Sequence, residues 1–399
     1  MLVLARYMAG AVVARTGDEM SGPALLVTGL AITGSPLLAS SVLAGLTVSA
    51  AVGGPLLGVL LDRARRPGRV LGWCLAGYAG GLLLVVGGMA GEVHGAVLVG
   101  IAVVTGLLGP ALTGGWTAQL PSVAGPERLA RATAFDSMSY NVAGLAGPAL
   151  AGVVASVGGG VAAAVVSVVL LVAALPAAYG LPASAPASGA MAGRAARGGE
   201  GWRVVREEVR AGFRVIVANA ALRRATLASM VSIGGVAMMV VSAPVLGARL
   251  SGESGYGALL LAVIAAAGLA ANAALAASPR RPELVQAVGT AVLGAGMVVM
   301  AGAGTFWMAV LGAAVAGAGE GPQLTALFAV RHREAPARLR GQVFTTGASM
   351  KITSFAIGSA LAGPLAAYSV GLALLAGAAL QALAVAVLAA PLLRRAGRE

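Results

Sequence analysis

The chain has 399 residues, 58% of them hydrophobic and 10% charged, with a net charge of +13 and a mean hydropathy of +0.91. Soluble domains carry about 25% charged residues, so this chain could not cover a water-facing surface and belongs in a membrane. The lone cysteine, Cys74, and two isolated histidines, His94 and His332, leave no disulfide framework and no metal cluster.

A bilayer core about 30 Å thick needs about 20 largely apolar residues per spanning helix. Twelve such spans are predicted, over residues 3–31, 36–61, 70–91, 95–118, 132–156, 160–182, 222–248, 256–278, 284–303, 305–330, 341–367 and 369–393. Residues 1–14 have the look of a signal peptide, but they are too short to span and lack a convincing cleavage site. The first span is therefore read as one helix over 3–31, with the polar run from Arg15 to Glu19 at its middle.

The basic residues fix an orientation. With both termini in the cytoplasm, all but three of the 27 fall in cytoplasmic segments; Arg249 is outside, and Arg15 and Lys351 lie within spans. The basic excess is thus a positive-inside signal, and no nucleic-acid partner is expected. The predominance of Arg, with much Ala, Gly and Val, points to a GC-rich bacterial genome and so to a bacterial cell membrane. Residues 183–201 read as flexible linker. Beyond them Trp202, Val205, Val209, Phe213, Ile216 and Ala220 recur at helical spacing, with arginines on the other faces. Such an amphipathic helix either lies on the inner membrane surface or packs on the transport core. The domain boundaries that follow are 1–182, 183–221 and 222–399.

The two halves repeat. Gly109-Pro110, Pro126 and Gly147-Pro148 recur as Gly321-Pro322, Pro336 and Gly363-Pro364, with proline offsets of 212, 210 and 216 residues. Arg65-Arg66-Pro67 recurs as Arg280-Arg281-Pro282, 215 residues on. Separate matches at nearly one spacing indicate an internal duplication, each half carrying the same run of membrane helices.

The loop after the second span reads Gly58-Val59-Leu60-Leu61-Asp62-Arg63, then, after two extra residues, Gly68-Arg69. It resembles the loop signature of the major facilitator superfamily. That resemblance implies an all-α integral membrane fold of twelve transmembrane helices in two pseudo-symmetric six-helix bundles. It also implies secondary transport by alternating access, with Asp62 holding a cytoplasmic gate shut against basic and helix-terminal groups. A carboxylate beside a helix N-terminus and arginines is physically suited to be such a latch.

In the fifth span, Gly147-Pro148 with Gly152 resembles the antiporter signature of the same superfamily. Small residues permit close helix contact, and Pro148 frees a carbonyl and bends the helix. The segment serves either as a hinge or as ordinary helix packing. Proton-linked members often carry an Arg in the fourth span, whereas residues 95–118 contain no charge.

Five ionisable residues lie deep in spans: Arg15, Asp18 and Glu19 in the first, Glu320 in the tenth and Lys351 in the eleventh. Asp136 sits nearer the inner end of the fifth. A charge at the bilayer centre costs at least about 2.5–3.5 kcal/mol, so such residues face protein or a water-filled cavity. The three carboxylates outnumber the two cations, which leaves an acid available to exchange protons or meet a cationic solute. Asp18 or Glu320 is the expected switchable acid, with Glu19 and Arg15 setting its environment; the alternative is a fixed neutral network of all five. Other polar candidates for a cavity are Trp116, Gln119, Tyr140, Asn141, Asn272 and Gln323, each of which could instead bond between helices.

With 4% aromatic residues, a cavity lined by Ala, Val, Leu and Met suits lipophilic solutes. No nucleotide-binding loop, nucleophile–base pair or metal-ligand set is recognisable, so neither an enzyme nor a cofactor is expected. The resemblance is nearest to the drug and macrolide efflux branch. The expected activity is proton-coupled export of a lipophilic small molecule, cationic or neutral, by a monomer. A metabolite importer, an uncoupled facilitator and a non-transporting membrane sensor are the alternatives.

Overall fold

The computed structural model describes residues 2–183, 201–252, 255–275 and 281–396. Most of the sequence read as flexible linker, and Arg280 of the repeated Arg-Arg-Pro, lie outside the described residues. The described residues are almost entirely helical. In the first half the order is α1 (Leu2–Thr33), α2 (Pro36–Arg63), α3 (Pro67–Ala90), α4 (Gly95–Gly106), a π-helical turn (Ala111–Gly115), α5 (Leu120–Ala173) and α6 (Leu175–Tyr179). Helix α7 (Gly201–Ala218) precedes α8 (Ala220–Ser251), α9 (Gly255–Ala274), α10 (Pro282–Ala301) and α11 (Phe306–Glu334). A 3-10 turn (Ala337–Leu339) then leads into α12 (Arg340–Tyr368) and α13 (Val370–Ala396).

Seven segments of the described chain are long and apolar enough to cross a bilayer, and one of them, Gly95–Tyr179, runs for 85 residues. At 1.5 Å per residue that is far more than one crossing. It is cut by Gly125 (φ 69°) and Gly159 (φ 79°), whose left-handed backbone an L side chain would resist. The three spans predicted there are thus present within one nearly continuous helical run. Helices α1, α9 and α11, which are shorter or more polar, complete the twelve.

The fourth span differs from its expected single helix. Helix α4 stops at Gly106, and Pro110, lacking an N–H, is followed by the π turn before α5 begins at Leu120. Its counterpart, Gly321-Pro322, lies inside the unbroken α11. Elsewhere the duplication shows in the backbone itself. Arg66, just before Pro67, has φ −131° and ψ 78°, and Arg281, just before Pro282, has φ −134° and ψ 78°. The helices that follow both end on a glycine of nearly equal conformation, Gly91 and Gly302.

By contacts the chain divides into two compact units. The first comprises Met1–Leu129, Val142–Ala218 and Ala335–Ile352, and the second Ala130–Asn141, Asn219–Glu334 and Thr353–Glu399. Helices α5 and α12 each contribute to both. The second unit is built on a buried cluster that includes Met239, Leu293, Met297, Met300 and Leu374. Buried polar groups stitch it together. The Gln323 amide donates to the Ser232 and Thr290 hydroxyls at 2.7 Å each, and Ser232 donates to Gln381 at 2.6 Å.

Helix α7 packs within the first unit. Glu208 pairs with Arg63 of α2 at 2.7 Å, Ile216 is buried, and Gly212 lies against the Gln342 side chain. Of the two readings of the amphipathic helix, these contacts support the one in which it packs on the helical core.

Candidate functional site

Two places gather the polar chemistry of the first unit: the middle of α1, and the junction of α2 with the start of α12. Helix α1 continues through its polar centre without a break. Arg15 is 1% exposed and donates to the Thr117 hydroxyl at 2.8 Å, just beyond the π turn. One turn later comes Asp18, half-buried, whose carboxylate accepts a hydrogen bond from Tyr78 of α3. Ser21 donates to the Asp18 carbonyl at 2.6 Å and lies 3.2 Å from the Tyr78 hydroxyl. Tyr78 is 3% exposed. An amphiphilic side chain so deep in apolar helices normally finds a partner for its hydroxyl, and here the partners are those of Asp18.

Glu19 is exposed, next in sequence but round the helix from Asp18. Its backbone abuts Gly147 of α5: a Cβ added there would stand 2.6 Å from the Glu19 Cβ and 2.9 Å from the Met20 nitrogen. The glycine before Pro148 therefore lets α5 touch α1 beside the two carboxyls. At Gly152 the same test meets nothing within 4 Å, so close packing does not require a glycine there.

At the other place, Asp62 sits one residue from the end of α2. Its two carboxylate oxygens accept from the backbone N–H groups of Gly341, at 2.6 Å, and Gln342, at 2.8 Å. These are orphan donors in the first turn of α12, where the helix dipole also favours an anion. The Arg340 guanidinium adds an attractive charge. Gln342 in turn donates to the Pro55 carbonyl at 2.8 Å. Two turns further on, Ser349 accepts from the Gly54 N–H at 3.0 Å and donates to the Ala50 carbonyl. Ala50 and Gly54 are the acceptor and donor that an α-helix pairs between i and i−4, so the hydroxyl enters the ladder of α2. Gly58 completes the fit, since a Cβ there would lie 2.5 Å from the Gln342 Cα.

The family model described as Major Facilitator Superfamily matches residues 7–351. The chain belongs to that superfamily.

Similar solved structures are those of the superfamily fold. The human organic anion transporter MFSD10 has a TM-score of 0.74 at 15% identity, covering 97% of this chain and 98% of its own. A bacterial homologue of the iron transporter ferroportin, in an outward-facing state, has a TM-score of 0.70 at 15% identity, with coverage of 97% and 98%. The E. coli fucose:proton symporter has 0.69 at 13% identity, again with 97% and 98% covered. At such identities the likeness is one of fold. No curated protein matches the chain in sequence. Superfamily membership makes it a multi-pass membrane protein of a transporter family, and not an enzyme.

The remaining loop-signature residues divide by position. Arg63 points to Glu208 of α7, Arg69 is exposed, and Gly68 lets the start of α3 lie against the Ala178 carbonyl. Of the other intramembrane charges, Lys351 falls in the first unit and Glu320 in the second, both half-buried. Asp136 is fully buried in the second unit. The polar cavity candidates are mostly engaged between helices. Trp116 is fully buried and Gln119 is 8% exposed; the Asn272 carbonyl accepts from Thr325 at 2.8 Å, and Tyr140 packs on Phe328 at 5.4 Å between ring centres. Beyond the spanning part of α11, Glu334 accepts from Asn219 at 2.9 Å and from Arg333 at 2.8 Å. Those bonds hold its carboxyl below the usual carboxylate range.

Sequence reasoning missed Tyr78, Ser21 and Thr117 around α1, and Gly341, Gln342 and Ser349 opposite α2. Tyr78 carries the sole hydroxyl of residues 70–91, a signal that could have been followed. Backbone donors such as Gly341 and Gln342 leave no side-chain trace to follow.

Proposed function

We propose that the protein is a secondary transporter of the drug and macrolide efflux type, exporting a lipophilic, cationic small molecule in exchange for protons. It works as a monomer in a bacterial cell membrane, with both termini in the cytoplasm. The observation that carries this reading is the acid pair Asp18–Glu19 at the centre of α1, with Arg15 one turn before it and the Gly147-Pro148 segment of α5 against it. Ionised groups at that depth are costly, and an acid able to change its protonation there can link solute movement to a proton gradient. Glu320 of α11 and Lys351 of α12, each within its own unit, are further candidates for the proton or substrate pathway.

Asp62 is the gate residue. Its bidentate hold on the start of α12 ties that helix to α2 in the present conformation. Alternating access requires such a tie to break and re-form. Arg63, with its partner Glu208, extends the gate to α7, and Gly58 allows the helices to meet. Pro148 gives α5 a bending point. The apolar composition favours solutes that need few polar partners.

The reading is tested with ethidium, a lipophilic cation, in inside-out vesicles given an acid interior. Wild-type vesicles should accumulate ethidium only while the pH gradient lasts. Asp62→Asn should slow accumulation at least tenfold, and at least one of Asp18→Asn, Glu19→Gln and Glu320→Gln should uncouple it from the gradient. Unchanged coupling in all three would remove the intramembrane acids from the mechanism. Accumulation in right-side-out vesicles instead would make the protein an importer.

A further inference from the structure

The acids at the middle of α1 are adjacent in sequence but differ in exposure and in what they touch. Asp18 is half-buried, and its carboxylate is bonded by the Tyr78 phenol. Ser21 closes a triangle, donating to the Asp18 carbonyl at 2.6 Å while standing 3.2 Å from the Tyr78 oxygen. Arg15 contributes its positive charge from one turn away. A carboxylate that accepts from a phenol packed among helices is fixed in place. Glu19 stands outside this arrangement. Its side chain is more exposed than that of Asp18, and the surface it rests against is Gly147. Gly147 directly precedes Pro148, which lacks the N–H that would bond the carbonyl of Gly144. The helix that borders Glu19 is therefore bendable at the point of contact.

We propose that the two carboxyls have separate roles: Tyr78 is a positioning residue that keeps Asp18 a fixed anion, and Glu19, seated on the Gly147 notch, is the acid that exchanges the proton. The step is simple. The Glu19 carboxylate takes a proton from water on one side of the membrane, and the carboxyl returns it to water on the other. Bending of α5 at Pro148 alters what covers Glu19, which ties the antiporter-like segment to proton access. The groups bearing on the pair are Arg15 of α1 and Tyr78 of α3, while Thr117 meets Arg15 and α5 presents the bare glycine. This assignment rests on the proton-coupled reading above, and it moves the exchangeable acid of that reading from Asp18 to Glu19.

Protonated carboxyls at membrane depth react with dicyclohexylcarbodiimide to give a stable N-acylurea, whereas carboxylates do not. The purified full-length protein in liposomes at neutral pH would be treated with this reagent, and the modified residue found by mass spectrometry. Glu19 should carry at least tenfold more label than Asp18. Tyr78→Phe should raise Asp18 labelling at least fivefold and leave Glu19 labelled, an effect that general loosening of the fold would not confine to one carboxyl. Ser21→Ala retains the Tyr78 ring and should move Asp18 in the same direction, so the proposal stays open to test if Tyr78→Phe does not fold. Gly147→Ala should cut Glu19 labelling at least threefold. Preferential labelling of Asp18 in the wild type would overturn the assignment, as would an unchanged pattern in both Tyr78→Phe and Ser21→Ala. The two readings fail separately. Gradient-driven ethidium movement with the wrong labelling pattern defeats the division of roles alone, and the expected labelling without gradient dependence defeats the proton coupling.

Discussion

Asp62 and Arg63 are neighbours in the loop signature, yet their contacts differ in kind. Asp62 takes two backbone donors at the start of α12 from a half-buried position. Hydrogen bonds to a charged group contribute about 1.5–3 kcal/mol each, offset in part by the cost of burying the carboxylate. Arg63 meets Glu208 with side-chain exposures of 37% and 21%, and surface pairs of that kind are worth about 0–1 kcal/mol. Asp62→Asn should therefore lower the thermal midpoint of the detergent-purified protein by several degrees, while Arg63→Gln shifts it by a degree or less. Equal shifts would mean that the signature acts through its charges in general and not through the carboxylate at the helix end. The sequence made the latch legible as a type of contact, since it pointed Asp62 at basic and helix-terminal groups. It could not name the partner, because the donors are main-chain N–H groups with no residue identity. The same limit applies at α1, where the acids were plain in the sequence and the phenol that fixes one of them was a single hydroxyl in an apolar span.

At the level of helices, small residues and neutral amides carry most of the organisation. The π turn after Pro110 and the straight passage of α11 through Pro322 show that equivalent Gly-Pro pairs need not deform the chain alike. Hydropathy finds a span whether or not a turn inside it widens, which is why the fourth span read as one helix. Periodicity likewise could not show that Gln323, Ser232, Thr290 and Gln381 form one network across α8, α10, α11 and α13. That network makes a prediction about stability. Gln323→Leu would remove two hydrogen bonds while the Ser232 and Thr290 hydroxyls keep those they donate to Gln381 and the Gln286 carbonyl, and each lost bond is worth about 0.5–1.5 kcal/mol. The variant should unfold at lower denaturant or temperature than wild type, with at most half the loss recovered in Gln323→Glu, whose protonated carboxyl offers one donor in place of two. No loss in Gln323→Leu would show that the amide is not needed to hold the four helices together.

For the whole molecule, the duplication is the feature the sequence displayed best. Repeated motifs predicted two like halves, and the matched backbone angles at Arg66 and Arg281 reproduce that likeness in three dimensions. What the repeat could not reveal is that contacts reassign two stretches, 130–141 and 335–352, away from the half in which they lie in sequence. Both halves should enter the membrane in the same orientation. Because Cys74 is the sole cysteine, a Cys74→Ala background allows Arg128→Cys and Arg338→Cys to be probed one at a time. An impermeant maleimide should reach both from the cytoplasmic face and neither from outside. Labelling from opposite faces would contradict the shared orientation and with it the twelve-span topology.

The Ser349 hydroxyl, lodged between the Ala50 carbonyl and the Gly54 N–H, has a bearing on how readily α2 and α12 can part. Most interhelical bonds leave two bare polar groups behind when they rupture in a greasy setting. This one leaves a carbonyl and an amide that already face each other, able to mend the seam as the intruder withdraws. Separation thus forfeits less than the number of bonds suggests, and the two helices are joined in a way that tolerates repeated undoing.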